Sequence, residues 1–337
     1  MKLLTSLAIL SFLSLHMAPA TAQDAASFYK GKTVRIVVGF SAGGGYDHYA
    51  RVLSRYLGRH IPGNPTVLVQ NQPGAASLTS VRYTSAAAPT DGTYINAFNP
   101  GLITQSLTVP KKVGINFLEF GWLGNISEDF RVCHTWHAAG IKTWKDLLAR
   151  PKVSMGNTGI GTSAYIDNRI LSDLFGVKLQ QVMGYPGSAE KKIALERGEL
   201  DGDCGSWTSL PEEWVRDKKI DIHIRYSRTL VPGMPAEAIN AREYLTDPKK
   251  RQTFDLLTAS ALIGRPYIVP KAVPADRLAA LRTAFDVTMK DPEFLADVTK
   301  QRLIVTAMTG TEVEGFIKEL YKTPPDVAAA ARAISGD

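Results

Sequence analysis

The feature that most constrains this chain is a pattern that occurs twice: a β-rich strand, a glycine-bearing loop, then an amphipathic helix. Residues 33–39 read TVRIVVG, a β-branched run suited to a buried central strand. Ser41, Ala42, Gly43, Gly44 and Gly45 follow as a loop, with Tyr46 and Asp47 at its end. Tyr49, Val52, Leu53, Tyr56 and Leu57 then recur at spacings of three and four, which predicts a helix over 47–58 with Gly58 as its stop. The second occurrence is a strand over 152–155, a loop over 156–161 and a helix over 163–174. Such alternation argues for largely parallel sheets covered by helices on both faces, an α/β fold.

Each occurrence opens a longer series. The first continues through a strand over 66–70, a turn at Asn71, Gln72, Pro73 and Gly74, a helix over 78–86 and a strand over 93–98. Two further strands are predicted over 121–126 and 130–135. The second series continues with a strand over 179–183, a helix over 189–197 and a strand over 200–204. At 337 residues the chain exceeds what one hydrophobic core usually organises, so two lobes are expected, with a ligand cleft where the strand-end loops converge. The last stretch has helical patterns over 276–289, 292–300 and 311–321 but too few strands for a third sheet, and is expected to return to the first lobe. The division expected is 23–128 plus 255–337 for a discontinuous first lobe and 129–254 for a second, with crossings near 127–132 and 225–262.

Met1 and Lys2 precede an apolar run over 3–15, and Ala20, Thr21 and Ala22 supply small residues before Gln23. This reads as a secretory signal peptide over 1–22, cleaved after Ala22, because the run falls short of the roughly 20 residues a membrane-spanning helix needs. The expected location is periplasmic. A formal charge of +7 attracts small anions, but the basic residues are scattered, with Lys249, Lys250 and Arg251 the densest group, so nothing marks a nucleic-acid surface. In an oxidising compartment Cys133 and Cys204 either form a disulfide or remain buried thiols in neighbouring strands, and their spacing does not choose. Neither belongs to a Cys-x-x-Cys pair, and His134 and His137 read as structural or surface histidines, so no metal is expected.

Both glycine loops precede a helix, whose N-terminal N–H groups and dipole suit an anion. In the second loop Thr158, Thr162 and Ser163 add hydroxyl donors around Gly161. The competing reading is that Thr162 or Ser163 merely caps its own helix. A dinucleotide site fails on spacing, since its third glycine would fall at His48 and Asn71 stands where an acidic partner would end the second strand. Neither a Gly-Lys-Ser/Thr motif nor a Gly-x-Ser-x-Gly elbow is present, and no cofactor and no catalytic residues are expected.

The run VRIVVGFSAGGGYDHYAR over 34–51 resembles the opening of the Bug, or TctC-type, receptors of tripartite tricarboxylate transporters. Five further segments agree in order. Asn71-Gln72-Pro73-Gly74-Ala75 resembles that family's Asn-Lys-Pro-Gly-Ala turn, and Asp91-Gly92-Thr93-Tyr94 its Asp-Gly-Tyr-Thr. Gly159-Ile160-Gly161-Thr162-Ser163 resembles its Gly-x-Gly-Ser loop, Tyr185-Pro186-Gly187-Ser188-Ala189 its Tyr-Lys-Gly-Ser-Ala segment, and Gly198-Glu199-Leu200-Asp201 its Gly-x-x-Asp turn. The resemblance implies a periplasmic-binding, Venus-flytrap fold of type II-like form. It implies a monomer that holds a small organic carboxylate between its two loops and delivers it to a permease with one large and one small subunit. Carried over by position, 41–47 and 158–163 grip the carboxylate, while Asn71, Pro73, Gly74, Tyr185, Gly187 and Asp201 shape the cleft.

The departures matter. The family's first loop continues Gly-Gly-Ser-Thr-Asp, where this chain has Gly43, Gly44, Gly45, Tyr46 and Asp47. The family's proline after the first strand is Gly39, the lysine of its Tyr-Lys-Gly segment is Pro186, and its frequent histidine after the second loop is Tyr165. The Tyr46 ring either fills space, favouring a smaller ligand, or stacks on an aromatic acid, so citrate does not follow. Asp203 reads either as a turn residue capping the next helix or as an acceptor for a ligand hydroxyl or amine; Trp207 reads as wall or core, and Asp47 and Asp201 as caps or supporting groups. A receptor signalling to a membrane sensor kinase is the alternative function, and a secreted enzyme a further one for which no nucleophile–base pair is found.

Overall fold

The computed structural model describes residues 25–227 and 230–335, so the signal peptide expected over 1–22 lies outside the described residues. The strands in chain order are β1 (Thr33–Val38), β2 (Thr66–Asn71), β3 (Tyr94–Ala97), β4 (Phe120–Asn125), β5 (Arg131–Trp136), β6 (Val153–Gly156), β7 (Leu179–Val182), β8 (Gly202–Ser206), β9 (Ile220–Arg225), β10 (Ile239–Asn240), β11 (Pro266–Pro270) and β12 (Met308–Thr309). They form two six-stranded sheets, ordered β12-β4-β11-β3-β1-β2 and β10-β9-β5-β8-β6-β7. Each sheet has a parallel part built from the repeated strand–loop–helix unit, β3-β1-β2 or β8-β6-β7. Beside it lies an antiparallel strand that arrives from the other sheet, β11 in one and β5 in the other. This is the two-lobed α/β architecture of a periplasmic-binding fold.

The sequence explains the placement of the first unit. β1 is central, so Val34, Ile36 and Val38 are fully buried, whereas β2 at the edge alternates exposed and half-buried residues. The following helix runs Gly45–His60, so Gly58 lies inside it rather than ending it. A Cβ at Gly58 would come within 2.5 Å of the Pro65 carbonyl oxygen; the glycine lets the helix close onto the chain entering β2.

Tyr49, Val52, Leu53 and Leu57 of this helix share a core with Leu281, Phe285 and Phe294, so much of the final stretch does return to the first sheet. The last helix, Pro325–Ser335, behaves differently. Its Ala331 and Ile334 join Phe254 and Leu257 in the core of the second sheet, so residues 255–337 serve both cores. The chain passes between sheets after Asn125 and again before Pro266.

Cys133 and Cys204 face each other across β5 and β8, with Cα atoms 4.1 Å apart, and are joined as a disulfide. The bond staples the incoming strand to the parallel part of its sheet and closes a long loop, 71 positions in sequence, which restricts the unfolded chain.

Candidate ligand cleft

The two glycine loops meet at one cavity of about 90 Å³ between the lobes. The first loop contributes Phe40, Gly44, Gly45 and Tyr46, and the second Thr158, Thr162 and Ser163. A wider cavity of about 560 Å³ adjoins it, sharing Gly44, Gly45, Lys192, Ser209 and Leu210 and adding Gly43, Trp207 and Arg302.

The loops are held in different ways. Asp47, buried in the first turn of its helix, accepts the Gly43 N–H at 2.9 Å, the Arg51 Nε–H at 2.9 Å and the Asn71 amide at 2.9 Å. Asn71 also donates to the Phe40 carbonyl at 3.0 Å. Burial acts against the Asp47 charge, yet Arg51, the Gly43 N–H and Asn71 together keep its carboxyl below the usual range. No side chain caps the start of this helix. In the second loop Thr162 accepts the Tyr165 N–H at 3.2 Å and donates to the Gly159 carbonyl at 2.8 Å. Its hydroxyl serves its own helix, the capping role the sequence left open.

The loops also touch the opposite lobe. Ser41 donates to Glu190 at 3.0 Å, and Asn99 donates to the Gly161 carbonyl at 3.3 Å. Gly161 has a left-handed φ of 73°, and a Cβ there would overlap the Gln105 amide at 1.4 Å. Glycine is required at this lobe contact both by backbone and by space.

The floor is an ionic chain running through the two crossings. Arg265 bonds Asp129 at 3.2 Å and Ser206 at 2.8 Å, Asp129 bonds Arg131 at 2.9 Å, and Arg131 bonds Asp167. All four charges are buried, which is tolerable only because they alternate in sign. Burial works against Asp129, but Arg265 and Arg131 hold it well below the usual carboxylate range. At Asp167 burial wins over Arg131 and pushes the carboxyl up to about 6.

Tyr46 stacks on Phe40, with centroids 5.0 Å apart, and carries the Arg265 guanidinium 4.8 Å from its ring centroid. Its phenol is pushed up by burial, against Arg265. The ring is thus engaged by the protein itself, which favours the space-filling reading over stacking on a ligand.

The remaining expected residues are distributed around the cavity. Asp203 lines it and forms a buried ion pair with Lys191 at 2.5 Å; it does not cap the turn after it. Ser41, Asp47, Asn71 and Gly161 brace the loops and lobe contact. Ala42 is exposed, Gly74 packs beside Thr79, and Tyr185 packs on the Trp136–Trp214 cluster, so these three stand away from the cavity lining. Asp201 accepts the Ser154 N–H at 2.7 Å and ties β6 to the start of β8.

Sequence reasoning missed Asp129, Arg131, Arg265, Lys191, Lys192 and Trp214, all of which line the cavity. It also left His134 as a structural or surface residue; the side chain is 1% exposed and borders the cavity. The register of β5 against β8 sets His134 opposite Asp203, a pairing no local pattern announces. Among the described residues no cluster of His, Cys, Asp or Glu could hold a metal ion, and no helix is long and apolar enough to cross a membrane.

No family model matches the chain. It is 26% identical over 221 residues to a UPF0065 protein of Bordetella pertussis, an alignment spanning 60% of this chain and 62% of that relative. Among solved structures it is similar to the periplasmic binding protein BugD, with a TM-score of 0.76 and 20% identity over 91% of this chain and 98% of the other. It is also similar to MatC from Rhodopseudomonas palustris with bound malate, with a TM-score of 0.71 and 17% identity over 88% of this chain and 99% of the other. The resemblance to Bug/TctC-type receptors stands, and the fold is that of the periplasmic binding proteins.

Proposed function

We propose that this protein is an exported solute receptor without catalytic chemistry, which closes its two lobes on a small organic carboxylate and presents it to a tripartite tricarboxylate-type permease. The observation that carries the reading is the convergence of the two loops, one from each lobe, on a single cavity whose lining has four basic side chains, Arg131, Lys191, Lys192 and Arg265, against two acidic ones, Asp129 and Asp203. The uncapped helix start at Gly44–Tyr46 offers backbone donors, and Thr158 and Ser163 offer hydroxyls from the opposite side. The lobes that close are the bodies around the two sheets, and closure selects the form in which both sets of donors reach the ligand. The malate bound to MatC fits the same ligand class.

A thermal-shift screen of the purified protein against mono-, di- and tricarboxylates, amino acids and nucleotides tests this, since a ligand that binds only the folded state raises Tm. Stabilisation by carboxylates that is weakened in Ser163→Ala is the expected result. Stabilisation by nucleotides or uncharged solutes alone contradicts it.

A further inference from the structure

His134 and Lys192 stand out because, among the described residues, no hydrogen-bond partner meets the His134 ring and no carboxylate pairs with Lys192. Both ring nitrogens of His134 lack a hydrogen-bond partner although the side chain is buried at the cavity wall. A buried imidazole in that state is unusual unless something else supplies the partner. The ring is fixed beside Trp214, with centroids 6.4 Å apart, and Trp214 is itself anchored by donating to Glu196 at 3.1 Å. Lys192 lines both cavities, and no carboxylate lies within ion-pair distance of it among the described residues. Its neighbour Lys191 is already paired with Asp203.

The charges along this wall leave a definite sign. Lys191 and Asp203 cancel, the Arg265–Asp129–Arg131–Asp167 chain alternates, and the Lys192 charge is left over. Burial keeps His134 neutral, with a pKa pushed down to about 4 against the pull of Asp203, so the ring offers one N–H donor and one acceptor rather than a charge. Burial also lowers Lys192, and Asp203 opposes that shift.

We infer that His134 and Lys192 form a second subsite, distinct from the two loops, that receives a second anionic oxygen group of the ligand, so that the solute is a dianion. The inference rests on the carboxylate-receptor reading and deepens it. The first carboxylate takes the donors of Gly44–Tyr46 and Thr158–Ser163; the second accepts from the His134 N–H and the Lys192 ammonium. Ser188 and Ser209 line the same cavity, but their hydroxyls lie beside Gly44 and Gly45 and belong with the first loop.

Isothermal titration of the purified protein with straight-chain dicarboxylates and with monocarboxylates of the same chain length tests this. Dicarboxylates are expected to bind at least about tenfold tighter than their matched monocarboxylates, a difference of ~1.4 kcal/mol. Lys192→Met, at a half-buried position, is expected to weaken dicarboxylate binding at least about tenfold more than monocarboxylate binding, and so to remove that preference. His134→Asn is expected to reduce the preference in the same direction. Equal affinity for the two classes, or a preference that survives Lys192→Met, overturns the second subsite and leaves the receptor reading intact. Absence of binding by either class overturns both, and tighter binding of amino acids than of dicarboxylates reassigns the wall to an ammonium held by Asp203.

Discussion

The two glycine loops look alike in sequence and occupy matching places after β1 and β6, yet the fold uses them differently. The first is organised by a carboxylate: Asp47 gathers Gly43, Arg51 and Asn71, and the helix start is left without a side-chain cap. The second is organised by a hydroxyl and by the opposite lobe: Thr162 caps its own helix, and Gly161 lies against Gln105 and Asn99. Both loops meet the opposite lobe, the first through Ser41 and Glu190 and the second through Gly161, but only the second has a side-chain cap on its helix; the first leaves its helix start without one. Similar composition does not imply an equal share of the binding work.

The largest effect that sharpens this comparison is expected at Gly161. Gly161→Val places a branched side chain where Gln105 sits and blocks closure, so affinity for the bound solute is expected to fall by about 100-fold, or ~3 kcal/mol. Gly43→Ala, whose Cβ meets only Ala189 at 3.6 Å, carries just the cost of a left-handed backbone, about 1 kcal/mol. Titration calorimetry reads the Gly161→Val loss and urea unfolding the Gly43→Ala cost, and an equal loss of affinity in the two variants would erase the distinction between the loops.

Next comes Asp47→Ala, which releases three donors at once and is expected to cost about 2–3 kcal/mol of stability in urea unfolding, with weaker ligand binding. A smaller, related effect is pH dependence. Because the folded pKa of Asp47 lies below its unfolded value, near 3.8, its contribution is present above that pH and lost as pH falls through the folded value. Hydrogen exchange, corrected for intrinsic rates, is expected to show the Gly43 amide losing protection as pH falls below 3.8 toward the folded value while the Tyr165 amide, held by a hydroxyl, does not. The smallest effect is Thr162→Ala, expected to cost about 1 kcal/mol through loss of the cap, with Thr162→Ser close to neutral.

The legible parts of the sequence are those set by local chemistry. β1 with its glycine loop and amphipathic helix, and the matching unit at β6, are each encoded within about thirty residues, where periodicity and turn residues act directly. Gly58 misled because glycine serves two purposes, and its role here is set by Pro65, a contact made only after β2 has folded alongside. The ionic floor was illegible for the same reason: Asp129 and Arg265 are 136 positions apart, and nothing around either residue signals the other. Tyr185 shows the converse, a residue carried over by resemblance that packs against the Trp136, Leu195, Leu200 and Trp214 cluster rather than lining the cavity. The last helix likewise serves the second core through Ala331 and Ile334, which a chain-order division at 255 does not reveal.

The most direct test of the central claim is a crystal structure of the protein with the carboxylate that stabilises it most. A carboxylate group is expected in the cavity between the loops, within hydrogen-bond distance of the backbone N–H groups of Gly44–Tyr46 on one side and the hydroxyl of Thr158 or Ser163 on the other. A ligand seated instead in the wider cavity beside Trp207 and Arg302, with both loops untouched, would contradict it.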